Sequence, residues 1–239
     1  MIADHDTIVA ERFDALHARF KSEVATEDIR LRAVARTLGP IEDRLILDLG
    51  CGKGRFASHL VASGARVVGL DLSTAMLGQA RGLDRVKASA RRLPFGDQTF
   101  DAVVAIEVLE HVGTIDGVLD EARRVLKPGG RLVIIDKNAG ALNSRRPWLP
   151  ALVVKWIDER RGLWMYPSDS PVAERWFWPG KLARRLARDF DAVRVEFLLR
   201  PEEAGSPIFR TIPRARLWTL WSAWKPVADA KGETRWSTR

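Results

Sequence analysis

The 239-residue chain contains a single cysteine, Cys51, so it forms no internal disulfide. A lone thiol is the usage of a reducing compartment. No apolar stretch reaches the length a bilayer-spanning helix needs, roughly 20 residues. The opening residues Met1-Ile2-Ala3-Asp4-His5-Asp6 are acidic and lack the basic-then-apolar order of a secretory signal. Repeats and low-complexity tracts are also absent, which excludes a solenoid or other repeat array. These absences lead to the expectation of a cytoplasmic globular chain, long enough for one α/β domain with a full core and a cap.

The charge is uneven. The formal net charge is +8, yet residues 1–139 hold 20 basic and 20 acidic side chains, so the whole surplus lies in residues 140–239. All nine tryptophans also follow Pro147. The first part reads as a ligand-binding core and the remainder as a surface of different purpose.

Between residues 6 and 38, apolar residues at Ile8, Phe13, Leu16, Phe20, Val24, Ile29, Leu31, Val34 and Leu38 predict one or two amphipathic helices, stopped by Gly39-Pro40. Strands are expected over 44–49, 65–70, 84–88, 99–106 and 131–136, with helices over 54–63, 74–80 and 115–126. This alternation predicts a doubly wound, mostly parallel sheet. Lys127-Pro128-Gly129-Gly130 reads as a sharp helix-to-strand turn. Farther on, a helix over 181–188, a strand over 191–199 and a last strand or helix over 215–224 are expected.

The run Leu45-Ile46-Leu47-Asp48-Leu49-Gly50-Cys51-Gly52-Lys53-Gly54 is the most informative. An apolar strand ends in an acid, and glycines at alternate positions let a ligand approach the backbone. The following helix is expected to aim free N–H groups into the same space. The spacing matches neither G-x-G-x-x-G nor a P-loop. An acid before the glycines suits a ligand with a positive end better than a pyrophosphate. Asp71 follows Asp48 by 23 residues, at the end of a second strand, where a carboxylate can accept both hydroxyls of a ribose. The bland alternatives are a tight turn without ligand, and Asp71 as a helix cap, a task Ser73 can take instead. Cys51, without a histidine nearby in sequence, reads as a small apolar filler rather than a nucleophile. Lys53 is expected in solvent. Leu72 and Met76 suit either an adenine face or the core.

Over residues 40–137 the chain resembles the class I S-adenosylmethionine-dependent methyltransferases. The resemblance implies a seven-stranded Rossmann-like sheet with an N-terminal helical segment (1–40), an S-adenosylmethionine-binding core (41–139), and a cap with the closing strands of the same domain (140–239). It implies that Asp48, Gly50, Cys51, Gly52, Asp71, Leu72 and Met76 surround the cofactor. Ser89 stands where these enzymes usually carry an acid for the adenine amino group, and the Ala90 backbone N–H could serve a ring nitrogen.

The fourth strand runs into Glu107-Val108-Leu109-Glu110-His111, at the sheet edge where open parallel sheets bind ligands. Glu107, Glu110 and His111 fall at i, i+3 and i+4, so one helical turn would bring them together. They could hold Mg²⁺. Alternatively, His111 with Glu110 could act as a base without metal, Glu107 could line the cofactor pocket, or the segment could be structural. It resembles the E-x-x-E-H segment of the ubiquinone-pathway O-methyltransferases, which use a metal there. It also resembles that of small-RNA 3′-end 2′-O-methyltransferases, which add a later histidine that this chain lacks. His5, His17 and His59 are expected on helices as surface or core residues.

The resemblance implies methyl transfer to a small-molecule acceptor, by O-methylation of a phenolic, sugar or prenylated compound. Rival readings are an RNA-modifying methyltransferase and a non-catalytic cofactor-binding module. No Asn/Asp-Pro-Pro-Tyr/Phe follows the fourth strand, which weighs against amino groups as acceptors. Asp136-Lys137-Asn138 is expected at the pocket mouth. Beyond it, Trp148, Trp156, Trp164, Tyr166, Trp176, Phe177 and Trp178 alternate with Arg145, Arg146, Lys155, Arg160, Arg161 and Arg175. This block reads as an acceptor wall, as an amphipathic helix over 147–161 making peripheral membrane contact, as a nucleic-acid grip that no motif supports, or as a Trp-rich second core. Oligomeric state is not legible in the sequence.

Overall fold

The computed structural model describes residues 4–166 and 169–227; Met1–Ala3 of the acidic start and Trp236, the last of the nine tryptophans, lie outside them. Seven strands form one sheet: β1 (Leu45–Leu49), β2 (Arg66–Asp71), β3 (Asp84–Lys87), β4 (Phe100–Ile106), β5 (Leu126–Lys137), β6 (Asp191–Leu198) and β7 (Trp218–Trp224). Their spatial order is β3-β2-β1-β4-β5-β7-β6. The first five are parallel, and β7 runs antiparallel between β5 and β6. The expected sheet is therefore present, and the uncertain segment near 215–224 is a strand.

The central strands are apolar on both faces because helices cover both. Leu47, Val103, Leu132 and Trp221 face α5 (Ile115–Val125) and α7 (Pro179–Leu186), meeting Val118, Leu119, Leu182 and Leu186. The alternate residues Ile46, Val104, Val133 and Leu220 face α2 (Ile29–Leu38) and α3 (Ala57–Ala62), meeting Leu31, Val34 and Leu60. The N-terminal segment is two helices, α1 (His5–Leu16) and α2, and Asp28 caps α2 by accepting from the Arg30 N–H at 2.8 Å. Ser73 caps the short α4 (Thr74–Leu77), accepting from the Met76 N–H at 3.1 Å, which frees Asp71 from that task.

Two expectations are corrected. Lys127-Pro128-Gly129-Gly130 is not a helix-to-strand turn but an irregularity inside β5, where pairing with β4 jumps from Phe100–Leu126 to Ala102–Arg131; proline and glycine interrupt a ladder without ending it. The helix after the glycine loop starts only at Ala57 and has six residues, shorter than the expected 54–63. Two short helices, α8 (Pro201–Ala204) and α9 (Pro207–Thr211), precede β7. Helix α6 (Ala151–Arg160) falls inside the expected amphipathic stretch. Among the described residues, no helix is long and apolar enough to cross a membrane.

Trp221 is fully buried on β7 and donates its indole N–H to the Pro179 carbonyl at 3.0 Å. Trp221→Ala should cost about 3–5 kcal/mol in urea unfolding, whereas the half-exposed Trp156→Ala should stay within about 0.5 kcal/mol. Equal losses would contradict the layered packing of helices on both sheet faces.

Candidate active site

The chain reverses direction across the sheet between β1 and β4, and ligands bind beyond the carboxyl ends of the strands at such a point. Four neighbouring strands bring acids there. Asp48 lies within β1, Asp71 ends β2, Glu107 follows β4 and Asp136 lies near the end of β5. A cavity of about 400 Å³ opens over them. Asp48, Gly50, Cys51, Gly52, Asp71, Leu72, Met76, Ala90, Glu107, Glu110 and His111 all line it.

The glycine loop is held by the neighbouring strand. The N–H groups of Gly50 and Cys51 donate to the Leu70 carbonyl at 2.7 and 3.0 Å, and the Gly52 N–H donates to Asp71 Oδ2 at 2.8 Å. Gly50 sits at φ +70°, where a Cβ would come within 2.5 Å of Val108. Gly52 has φ +56° with open space where a side chain would stand, so the backbone is bare toward the cavity. Asp71 is braced by Gly52 and by the Ser73 N–H at 2.8 Å; burial raises its pKa despite these bonds. Asp48 is buried, and its Oδ2 has no hydrogen-bond partner. Burial and the nearby charge of Asp71 push its pKa up to about 7, with Arg55 opposing. A buried carboxylate without a partner is costly unless a cation meets it. Cys51 is filler, as expected: its Sγ packs where a Cβ on Gly69 would come within 2.7 Å, and burial beside Asp48 and Asp71 drives the thiol far up.

Sequence reasoning missed the N-terminal contribution. Val9, Phe13, Leu16, Arg19, Phe20 and Lys21 form a wall of the cavity. Asp14 anchors this wall by accepting from Ser73 Oγ at 2.5 Å and the Ala75 N–H at 2.9 Å, and Arg12 Nε donates to the Met165 carbonyl at 2.6 Å. Ser89 is turned the other way: its hydroxyl donates to Asp6 Oδ2 at 2.5 Å, and it is not among the cavity-lining residues, unlike its neighbours Ala88 and Ala90. The acid brought near position 89 thus comes from α1. Lys53 is not in solvent; it is buried and donates to the Phe20 carbonyl at 2.7 Å.

The Glu107-Glu110-His111 face does not form. Glu107 has φ +58° and accepts from Arg30 Nη1 at 2.5 Å and Arg55 Nη2 at 3.0 Å, while only Leu109–His111 turn, as a 3-10 turn. Glu110 and His111 instead meet Glu174 from the cap. Lys137 Nζ donates to Glu110 Oε1 and to Glu174 Oε1, each at 2.8 Å. Burial opposes ionisation of Glu110, but Lys137 and His111 together outweigh it and hold the pKa down at about 2. Burial, with the Glu110 charge beside it, pushes the pKa of Asp136 well above the ordinary carboxylate value. An ammonium stands between the acids where Mg²⁺ would need to bind, and Glu107 is committed to arginines, so these residues do not fit that ion. His111 Nε2 lies 3.3 Å from Glu110 Oε1 and Nδ1 3.3 Å from Tyr166 Oη. Trp164 and Trp176 donate to Glu174 at 3.0 and 2.6 Å, so part of the Trp-rich block is interior. Lys137 had a sequence signal, a cation at the end of a buried strand; Arg30 and Glu174 had none.

The methyltransferase domain family model matches residues 47–134. A demethylmenaquinone methyltransferase of Clavibacter sepedonicus is 45% identical over 111 residues, which are 44% of this chain and 45% of that one. A demethylmenaquinone methyltransferase of Thermobifida fusca is 30% identical over 197 residues, 75% of this chain and 81% of the relative. Among solved structures, an S-adenosylmethionine-dependent methyltransferase of Mesorhizobium loti aligns with a TM-score of 0.64 at 24% identity, over 83% of this chain and 99% of the other. The last likeness is one of fold. The chain belongs to the class I S-adenosylmethionine-dependent methyltransferases. Its match spans about half the length of the first of these relatives.

Arg30 ties the site together. It is buried, pairs with Asp28 at 2.8 Å and Glu107 at 2.5 Å, and stacks 4.1 Å from the Trp218 ring. Arg30→Ala should cost about 3–5 kcal/mol in denaturant unfolding, because it strands Glu107 with only Arg55. A loss below about 1 kcal/mol would mean that Glu107 is solvated rather than paired.

Proposed function

We propose that the protein transfers a methyl group from S-adenosylmethionine to a small apolar acceptor that carries a ring hydroxyl. The observation that carries the reading is the unpartnered, buried Asp48 carboxylate beside Asp71, around a bare glycine loop. Asp48 would meet the ammonium of the donor's amino-acid end. Asp71, with lone pairs left after its two N–H bonds, would accept from the ribose hydroxyls. Leu72, Met76 and the Ala88–Ala90 segment would flank the adenine. The donor supplies an activated methyl group, so the chain's own contribution is positioning, exclusion of water and removal of the acceptor's proton.

For the acceptor, the support is the other end of the cavity. Phe13, Leu16, Phe20, Leu163, Trp164 and Met165 make it apolar, and His111 lies at its floor. A demethylmenaquinone methyltransferase as relative fits an apolar ring acceptor. His111 is the base in this reading. Glu110 accepting from Nε2 leaves the lone pair on Nδ1 and stabilises the imidazolium that forms. Nδ1 currently faces the Tyr166 hydroxyl, a long contact that an acceptor hydroxyl can replace.

Peripheral membrane contact is a further part of the proposal. Trp148, Val153, Trp156 and Leu163 are exposed together with Arg145, Arg146, Arg160 and Arg161, and Leu163 also lines the cavity mouth. Aromatic residues among guanidiniums suit an anionic bilayer surface. Vesicles containing phosphatidylglycerol should pellet the protein more than phosphatidylcholine vesicles, and Trp148→Ser with Trp156→Ser should weaken this. Equal pelleting with both lipids would remove the electrostatic part of this reading.

Calorimetry with S-adenosylhomocysteine tests the cofactor assignment. Asp71→Ala should weaken binding by at least about tenfold, the worth of a charge-assisted pair of hydrogen bonds. Because Asp48 titrates near 7 and the ligand's ammonium favours the carboxylate, affinity should rise from pH 6 to about 7 and level above it. Asp48→Asn should flatten that slope. Unchanged affinity in Asp71→Ala would overturn the assignment. Transfer of labelled methyl groups to a panel of phenols and quinols tests the acceptor class.

A further inference from the structure

Among the described residues, the one set of acid and imidazole side chains assembled closely enough to hold a metal ion is Glu110, His111 and Glu174, with one ligand atom from each lying within 4.8 Å of the others. That set is already wrapped around a cation of the chain itself. Lys137 Nζ donates to both carboxylates at 2.8 Å. The remaining positions around the set are also committed. Glu174 accepts from the indole N–H groups of Trp164 and Trp176, and His111 faces Glu110 through one ring nitrogen and Tyr166 through the other. Nor can the ammonium readily withdraw. Lys137 is paired with Trp218 across the sheet, its carbonyl accepts from the Phe177 N–H at 2.9 Å, and its head lies 6.0 Å from the Trp164 ring.

We propose that Lys137 is a built-in cation that takes the place of a divalent metal at this segment, and that methyl transfer here runs without one. Lys137 is a positioning residue. It draws Glu110 from the β4 end and Glu174 from the cap onto one charge, so the same contact that fixes Glu110 behind His111 also closes the cap over the acceptor end. A divalent ion added to the cluster would stand beside an ammonium it repels, so it could enter only where that ammonium is removed. The claim about catalysis rests on the methyl-transfer reading; the claim about the cation position does not.

The experiment is Mn²⁺ binding to the full chain, followed by electron paramagnetic resonance and thermal midpoint. Wild type should show no saturable Mn²⁺ site, and neither Mg²⁺ nor EDTA should move its midpoint. Lys137→Ala should gain one site, at least tenfold tighter than any binding by wild type, with a midpoint that rises as Mn²⁺ is added. Two results would overturn the proposal: a saturable site in wild type that Glu174→Gln removes, or a folded Lys137→Ala that binds Mn²⁺ no better than wild type. If Lys137→Ala folds neither with nor without Mn²⁺, the wild-type titration decides, since it needs no variant. Failure of wild type to bind S-adenosylhomocysteine would count against the methyl-transfer reading and leave the metal result standing.

Discussion

Four adjacent parallel strands deliver acidic side chains to one low-dielectric edge, where a buried charge is costly unless it is compensated. The chain treats each position differently. Asp71 takes two backbone N–H groups, one of them from the glycine loop. Glu107 takes two guanidiniums. Burial raises the pKa of Asp136, and the Glu110 charge beside it raises it further. Asp48 has no partner for one oxygen. The position left uncompensated by the protein is the one where a cationic ligand would gain most.

The surrounding structure follows from that constraint. Arg30 must come from α2 to reach Glu107, which pins the N-terminal segment against the sheet and brings α1 over the cavity. Glu174 must come from the cap to share Lys137, which pins the cap on the opposite side. The cavity is thereby closed by two segments remote in sequence, each tied to the site by an ion pair in addition to its apolar packing. Their apolar residues, Phe13, Leu16 and Phe20 from one and Leu163 and Trp164 from the other, line the same cavity.

Much of this is legible in the amino-acid sequence. The apolar runs that reach Asp48 and Asp71 mark the carboxyl ends of β1 and β2, because a buried parallel strand bears an acid most cheaply in its last residues, where the side chain can meet the cavity. The glycines mark a turn with positive φ, and Ser73 as cap frees Asp71 for a ligand. The E-x-x-E-H spacing misleads, because it brings its side chains together only on an α-helical turn: Glu107 adopts φ +58° and only a 3-10 turn follows, which sends its side chain away from Glu110. Ser89 suggests an adenine contact only while its own strand is considered alone, whereas its partner Asp6 lies 83 residues earlier.

Local pattern determined the strands, the glycine loop, the two cavity-lining aspartates and the family, because each depends on burial and backbone conformation within a few consecutive residues. Only the tertiary structure decided how the charges are paired, which tryptophans are interior, and what fills the space among Glu110, His111 and Glu174. Those outcomes depend on Coulomb and hydrogen-bond partners brought together from distant segments, and no periodicity in a single chain records them.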